Sequence, residues 1–309
     1  MLVAIDRYIP GLGEALEPYA DVRLLPPEEI TPDTVGDADA LIIRTRTRCN
    51  SALLEGSRVQ FIATATIGYD HIDTDYCAKR HIEWTSCPGC NAAAVCDYVT
   101  EAIREYIRSG ARPRSIGILG VGHVGSLVAA AARQMGLETL VYDPPLGLHD
   151  DVSGADILPL HTPLTRNGAY PTYHLIDRDM LQRCRPDALI INAARGGVVD
   201  EQALLNSTQP YVLDCWEGEP DINRELCLNQ RAFLTSYHIA GYSLQGKINA
   251  SQMCLDAFCA HFGLPPCTIK KNVVPLQGDS SSGWLKRVSL QLKADPQAFE
   301  QLRQTYRLR

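Results

Sequence analysis

Short aliphatic and β-branched runs bounded by turn residues recur along the chain: Leu2–Ile5, Asp21–Leu25, Ala40–Arg44, Gln60–Thr64 and Ile82–Ser86, then Ser115–Leu119, Glu138–Asp143, Ala155–Leu160, Ala188–Ala193, Tyr211–Trp216 and Phe233–His238. Most are near-continuous apolar strings rather than alternating ones, as expected of parallel strands buried on both faces. Between them the apolar positions take a helical period over Ala92–Arg108, Val124–Met135, Asp177–Cys184 and Asp200–Leu205, and again over Leu244–His261 and Pro296–Arg307. Strands alternating with helices predict an α/β protein.

Two turn-rich breaks, Cys87-Pro-Gly-Cys90 and Tyr237–Ser243, each precede a long helical pattern and suit the crossing of a domain boundary. The expected organisation is one doubly wound parallel-sheet domain over 92–243 and a second, discontinuous domain over 1–91 and 244–265. A tail over 266–309 holds the turn-rich Gly278-Asp-Ser-Ser-Ser-Gly283.

Composition narrows the function classes. The 309 residues are 45% apolar and 21% charged, enough for a sizeable core. The formal net charge of −7 disfavours a nucleic-acid partner, which needs a broad basic face. No apolar run approaches the roughly 18 residues of a membrane span, so no membrane partner is expected. The eleven cysteines are odd in number, scattered and set among apolar neighbours, a pattern of reduced buried thiols. Met1 leads straight into Leu2-Val-Ala-Ile5 without the ordered regions of a signal peptide, so a cytoplasmic location is expected.

Ser115–Leu119 runs into Gly120-Val-Gly122-His123-Val124-Gly125, a GxGxxG pattern between a predicted strand and a predicted helix. One glycine permits the tight turn, one lets the backbone approach a pyrophosphate, and one lets helix and strand pack closely, while the amides of the helix N-terminus face the anion. Asp143 ends the next predicted strand at the distance expected of an acid that receives hydrogen bonds from a ribose, and its charge repels a 2′-phosphate. The expected domain is therefore a Rossmann fold binding NAD. Three polar residues follow three apolar runs of the same domain: Arg195, Glu219 and His238. Arginine grips a carboxylate with paired hydrogen bonds, histidine exchanges a proton near neutrality, and glutamate orients and stabilises the imidazolium. Together they suit oxidation of an alcohol beside a carboxylate.

The chain resembles the D-2-hydroxyacid dehydrogenase family in Gly120–Gly125, Asp156-Ile-Leu-Pro-Leu-His-Thr-Pro-Leu164, Ile191-Asn-Ala-Ala-Arg-Gly-Gly-Val-Val-Asp200, Leu213-Asp-Cys-Trp-Glu-Gly-Glu-Pro220 and His238-Ile-Ala-Gly-Tyr242. The resemblance spans about residues 1 to 265. It implies that His238 is the acid/base, Glu219 its partner and Arg195 the carboxylate clamp. It further implies cofactor contacts at Gly120, Gly122, His123, Val124, Gly125, Asp143, Thr162, Ala193, Ala194, Arg195, Asp214 and Gly241, and substrate contacts at Thr45, Thr66 and Tyr242, in an interdomain cleft. The discontinuous domain would be a flavodoxin-like substrate domain. The implied partners are a small phosphorylated 2-hydroxy acid and a second copy of the chain, with the tail as a shortened dimerisation segment.

Arg44-Thr-Arg-Thr-Arg48 offers donors to a phosphate or is a solvated basic turn, and both readings stay open. Cys87-Pro-Gly-Cys90 is explained by a turn before a helix without thiol chemistry, and no further tightly spaced ligands accompany it, so no metal is expected. Two rivals remain: another D-2-hydroxyacid dehydrogenase acting on glycerate, hydroxypyruvate or phosphoglycerate, and a binding protein that senses NAD. The connection between Asp143 and Ala155 is too short for an ordinary helical crossover, so the helix usual there should be lost or reduced to a turn.

Overall fold

The computed structural model describes residues 1–269 and 281–308, which fall into two compact units. One takes Met1–Asn91 and the described residues from Ser243 to 269. The other takes Ala92–Tyr242 and the described residues from 281 onward.

In the first unit, strands β1 (Leu2–Asp6), β2 (Asp21–Leu25), β3 (Ala40–Ile43), β4 (Phe61–Thr64) and β5 (Glu83–Thr85) form a parallel sheet in the order β2-β1-β3-β4-β5. Every residue of β3 and β4 is buried, because both faces of the sheet are covered. The helix Leu244–Phe262 covers one face with Ala250, Cys254, Leu255 and Phe258. Ser243 caps its N-terminus by accepting from the Gly246 amide at 3.0 Å, and Gly263, at φ 64°, ends it. Cys87 spends its thiol on the carbonyls of Thr64 and Ala250, and burial pushes the Cys90 thiol up to about 12. A thiol raised as Cys90 is makes a poor nucleophile, which accords with the turn reading of that motif.

The second unit adds β6 (Ser115–Leu119), β7 (Glu138–Asp143), β8 (Leu148–His149), β9 (Ile157–Leu160), β10 (Leu189–Asn192), β11 (Tyr211–Leu213) and β12 (Ala232–Thr235), ordered β12-β11-β10-β9-β6-β7-β8. All pairs are parallel except β7 with β8. The helix Ala92–Arg108 buries Val95, Tyr98, Val99, Ala102 and Ile103, the spacing of one helical face. Between β7 and β9 the chain makes a 3-10 turn, Pro144–Leu146, and a two-residue antiparallel strand in place of a crossover helix.

Three differences from the sequence reading have physical causes. The strands within the runs Tyr211–Trp216 and Phe233–His238 end at Leu213 and Thr235, and the chain turns out of the sheet where Trp216 donates its amide to Glu219 and His238 takes a left-handed backbone. The tail is not a separate body: a helix absent from the reading, Trp284–Ala294, buries Trp284, Leu285, Val288 and Leu292 in the core of the second unit. Thr235 there donates its amide to Ser289 Oγ at 2.9 Å, and Lys293 Nζ donates to the Ala232 carbonyl. The expected helix Pro296–Arg307 is divided into a 3-10 turn, Pro296–Ala298, which proline opens at its first position, and a helix, Phe299–Thr305. The turn-rich run read over Gly278–Gly283 lies outside the described residues as far as position 280.

Because Phe299 is fully buried in that shared core, Phe299→Ala should destabilise the second unit by about 3–5 kcal/mol. Urea unfolding of the two proteins checks this; a loss below about 1 kcal/mol would mean that the tail is not part of the cooperative core.

Candidate active site

Sheet order in the second unit reverses between β6 and β9, and the carboxyl ends of these neighbours frame the crevice where α/β sheets take ligands. Gly120 follows β6 with φ +89°, and a Cβ there would lie 2.8 Å from the carbonyl carbon of His161. A Cβ on Gly125 would lie 1.9 Å from the Gly120 oxygen, so the helix His123–Gln134 packs against the loop only through glycine. Gly122, the residue before that helix, faces open space, which leaves the first-turn amides at His123 and Val124 unobstructed. Asp143 fixes the loop by accepting from the Val121 amide at 2.7 Å.

Across the crevice, Thr162 Oγ1 and both ring nitrogens of His161 are buried without a hydrogen-bond partner among the described residues. Burial lowers the His161 pKa to about 3, so the ring stays neutral. Orphaned polar atoms opposite an open helix N-terminus fit a dinucleotide that brings donors, acceptors and negative charge. His161 was not singled out in the sequence; its place one residue past an apolar strand at the sheet reversal is the signal that could have found it.

The three polar residues expected at the strand ends are fixed in different ways. Arg195 follows β10 in a turn pinned by Asn192, whose Nδ2 donates to the Arg195 carbonyl at 2.9 Å and to the Cys215 carbonyl at 3.3 Å. Its guanidinium donates to the Ala194 carbonyl at 2.8 Å and has no carboxylate partner among the described residues. Glu219 accepts from the Trp216 amide at 2.8 Å through Oε1 and from His238 Nδ1 at 2.7 Å through Oε2. That bond leaves Nε2 of the imidazole for proton exchange. His238 has φ 58°, a left-handed backbone that costs a non-glycine residue roughly 1–2 kcal/mol.

Asp214 compensates that cost. Fully buried, it accepts from the amides of Ile239 and Ala240 at 2.8 Å each and from Ser236 Oγ at 2.6 Å, while the His238 amide donates to its carbonyl at 2.9 Å. Tyr98 backs Ser236 at 2.6 Å. Asp214, named as a cofactor contact, thus already serves its own loop with both oxygens.

Burial lowers the His238 pKa, while the neighbouring Cys215 sulfur and the Glu219 carboxylate raise it, and the net shift is well upward. The carboxylate carries that shift, because burial also pushes the Cys215 thiol up and keeps it uncharged near neutrality. Cys215, Glu219 and His238 offer donor atoms within 4.8 Å of one another. With Nδ1 engaged by Glu219 and the thiol protonated, the trio is suited to holding a proton rather than an ion.

Of the other expected contacts, Ala193 is buried and Ala194 and Gly241 half-buried beside these turns. Tyr242 closes the His238 loop, its amide donating to the Ile239 carbonyl at 2.9 Å. Thr45 and Thr66 belong to the first unit: Thr45 is exposed just past β3, and Thr66 Oγ1 donates to the Gly68 carbonyl at 3.0 Å. Beside them Arg44 is held by Asp6 through two bonds of 2.8 and 3.1 Å. No helix among the described residues is long and apolar enough to cross a membrane.

Residues 99–240 match the family described as D-isomer specific 2-hydroxyacid dehydrogenase, NAD binding domain. The chain is 42% identical to erythronate-4-phosphate dehydrogenase of Bacteroides fragilis, covering all of this chain and 97% of the relative. It is 39% identical to the protein of the same name from Azotobacter vinelandii, covering 96% of this chain and 80% of the relative. Among solved structures, NAD+-bound 3-phosphoglycerate dehydrogenase of Entamoeba histolytica superposes with a TM-score of 0.72 at 24% identity, covering 90% of this chain and 99% of the other. D-lactate dehydrogenase of Aquifex aeolicus gives 0.64 at 20%, covering 85% and 96%.

Two outcomes follow from the geometry. Gly122→Ala should leave stability within about 0.5 kcal/mol yet weaken NAD roughly tenfold or more, whereas Gly125→Ala should prevent the loop from forming; thermal melts with and without NAD separate the two. Glu219→Gln removes the charge that raises His238, so the pH at which the imidazole loses its proton should fall. For a group raised in the folded state, the stabilising contribution is complete below its ordinary value of 6.5 and lost as pH rises through the raised value. The mutant should therefore lose that part of its stability, which melts across pH measure directly.

Proposed function

The chain belongs to the D-isomer specific 2-hydroxyacid dehydrogenase family, and we propose that it acts as an erythronate-4-phosphate dehydrogenase. On this reading it oxidises 4-phospho-D-erythronate at C2 to 3-hydroxy-2-oxo-4-phosphooxybutanoate, a step of pyridoxal 5′-phosphate synthesis. The single observation that carries the chemistry is the His238–Glu219 pair at 2.7 Å, with the second ring nitrogen left for the substrate hydroxyl.

NAD, when bound, supplies the acceptor for the C2 hydride. The chain's own residues do the rest. Neutral His238 takes the hydroxyl proton on Nε2, and Glu219 stabilises the imidazolium so formed. The Arg195 guanidinium is available to grip the substrate carboxylate and to polarise the C2 oxygen. Gly120, Gly122, His123, Val124, Gly125, Asp143 and Thr162 would hold the cofactor, with His161 beside them. Thr45, Thr66 and Tyr242 would contact substrate, and Arg44 is a further donor for its phosphate. We read the first unit as the substrate domain and the enzyme as a cytoplasmic homodimer; light scattering tests the second copy.

Purified protein with NAD should reduce the nicotinamide selectively on 4-phospho-D-erythronate, in preference to D-glycerate and 3-phosphoglycerate. His238→Ala should lower kcat by about 10²–10⁴ while NAD still binds. Preference for an unphosphorylated acid would replace the substrate and keep the mechanism; unchanged kcat in the variant would remove His238 from it.

A further inference from the structure

The C-terminal helix Phe299–Thr305 packs on the loop that carries His238. Phe299 is fully buried, and Leu302 and Tyr306 pack on the same core. The Tyr306 ring meets Tyr237 at 6.0 Å and Tyr242 at 6.4 Å, the residues on either side of the His238 turn. Tyr237 also donates its hydroxyl to Gln291 Oε1 at 3.1 Å, in the preceding helix. Between these anchors Arg303 extends its guanidinium so that Nη1 lies 4.0 Å from Glu219 Oε2, the oxygen that holds His238 Nδ1.

We propose that Arg303 is a positioning residue for the His238–Glu219 pair, dividing the field of the Glu219 carboxylate between itself and the imidazole and so setting the pH at which His238 gains and loses its proton. The proposal rests on the reading of His238 as the acid/base.

The other groups around the pair do not duplicate this role. Cys215 is an uncharged thiol, and burial pushes the Glu201 carboxyl up. Asp214 is committed to its amides and to Ser236, and Arg195 forms no ion pair with Glu219 among the described residues, its Nη1 donating to the Ala194 carbonyl. Tyr237 is pushed up to about 12 by burial and stays neutral. Glu300, 2.7 Å from Arg303 Nη2, offsets part of the arginine's charge and keeps the guanidinium in place. Removing the Arg303 charge leaves Glu219 wholly to the imidazolium and removes a cation from its neighbourhood. Both effects favour the protonated ring, so the His238 pKa rises.

Histidine NMR titration of the protein without cofactor or substrate tests this, with His238→Gln assigning the resonance. Arg303→Met should raise the His238 midpoint by roughly half a pH unit, and Arg303→Lys, which keeps the charge, should return most of it. In turnover, the ascending limb of kcat/KM for oxidation should move to higher pH by the same amount while NAD affinity is unchanged. A midpoint that moves by less than about a tenth of a unit, or that moves equally in the lysine variant, would overturn the proposal. The titration needs no substrate, so a failure to turn over 4-phospho-D-erythronate would count against the assigned reaction and not against Arg303.

Discussion

The second unit depends on one buried carboxylate. Asp214 stands at the end of β11 with no exposure to solvent, and a charge so placed persists only where donors surround it. It gathers them from the chain just past β12, two consecutive amides and the Ser236 hydroxyl, with Tyr98 of the helix Ala92–Arg108 behind that hydroxyl. The cost of burying the charge and the cost of the left-handed backbone at His238 thus offset each other: the turn that strains His238 is the turn that aims the amides of Ile239 and Ala240 at Asp214. A strand end, a strand-to-loop transition and a long helix are tied at one point, and His238, the residue we propose as acid/base, is presented from it.

Glu219 repeats the device nearer solvent. One oxygen is spent on the Trp216 amide, which fixes the carboxylate to the backbone after β11, and the other orients His238. Because both ends of the pair are referenced to the same pair of strands, their 2.7 Å separation follows from sheet register rather than from side-chain chance. Gly196 completes the arrangement from the neighbouring strand: a Cβ there would lie 1.8 Å from the Trp216 carbonyl, so the turn bearing Arg195 approaches the Glu219 turn as closely as backbone allows.

The sequence made legible what depends on burial or on a missing Cβ. Strings such as Ala40–Ile43 and Ile157–Leu160 are wholly apolar because both faces of their sheets are covered, and they were readable as strands for that reason. The glycines at 120 and 125 announced a turn and a close helix, since no other residue fits either place. What stayed hidden depends on pairing between distant positions. Nothing near Asp214 says that its carboxylate will receive the amides of Ile239 and Ala240, and nothing near Arg303 names Glu219 as its neighbour. The helix Trp284–Ala294 carries a readable apolar stripe, but the surface that receives it, around β12, is assembled only in the fold.

The short path from β7 to β9 shows how a local economy shapes the cofactor side. β7 is the last parallel strand of its sheet; the two residues of β8 pair with it antiparallel, and Asp150 accepts from the Val141 amide at 2.8 Å beside them. Asp143 lies where β7 gives way to this turn, so its position is set by the hairpin on one side and by the Val121 amide of the glycine loop on the other. One oxygen is thereby consumed in holding the loop, and the other is left without a donor among the described residues. A carboxylate held in that way suits a ribose diol and repels a phosphate, so on the proposed placement of the cofactor the interaction that shapes the loop would also favour NAD over its phosphorylated counterpart.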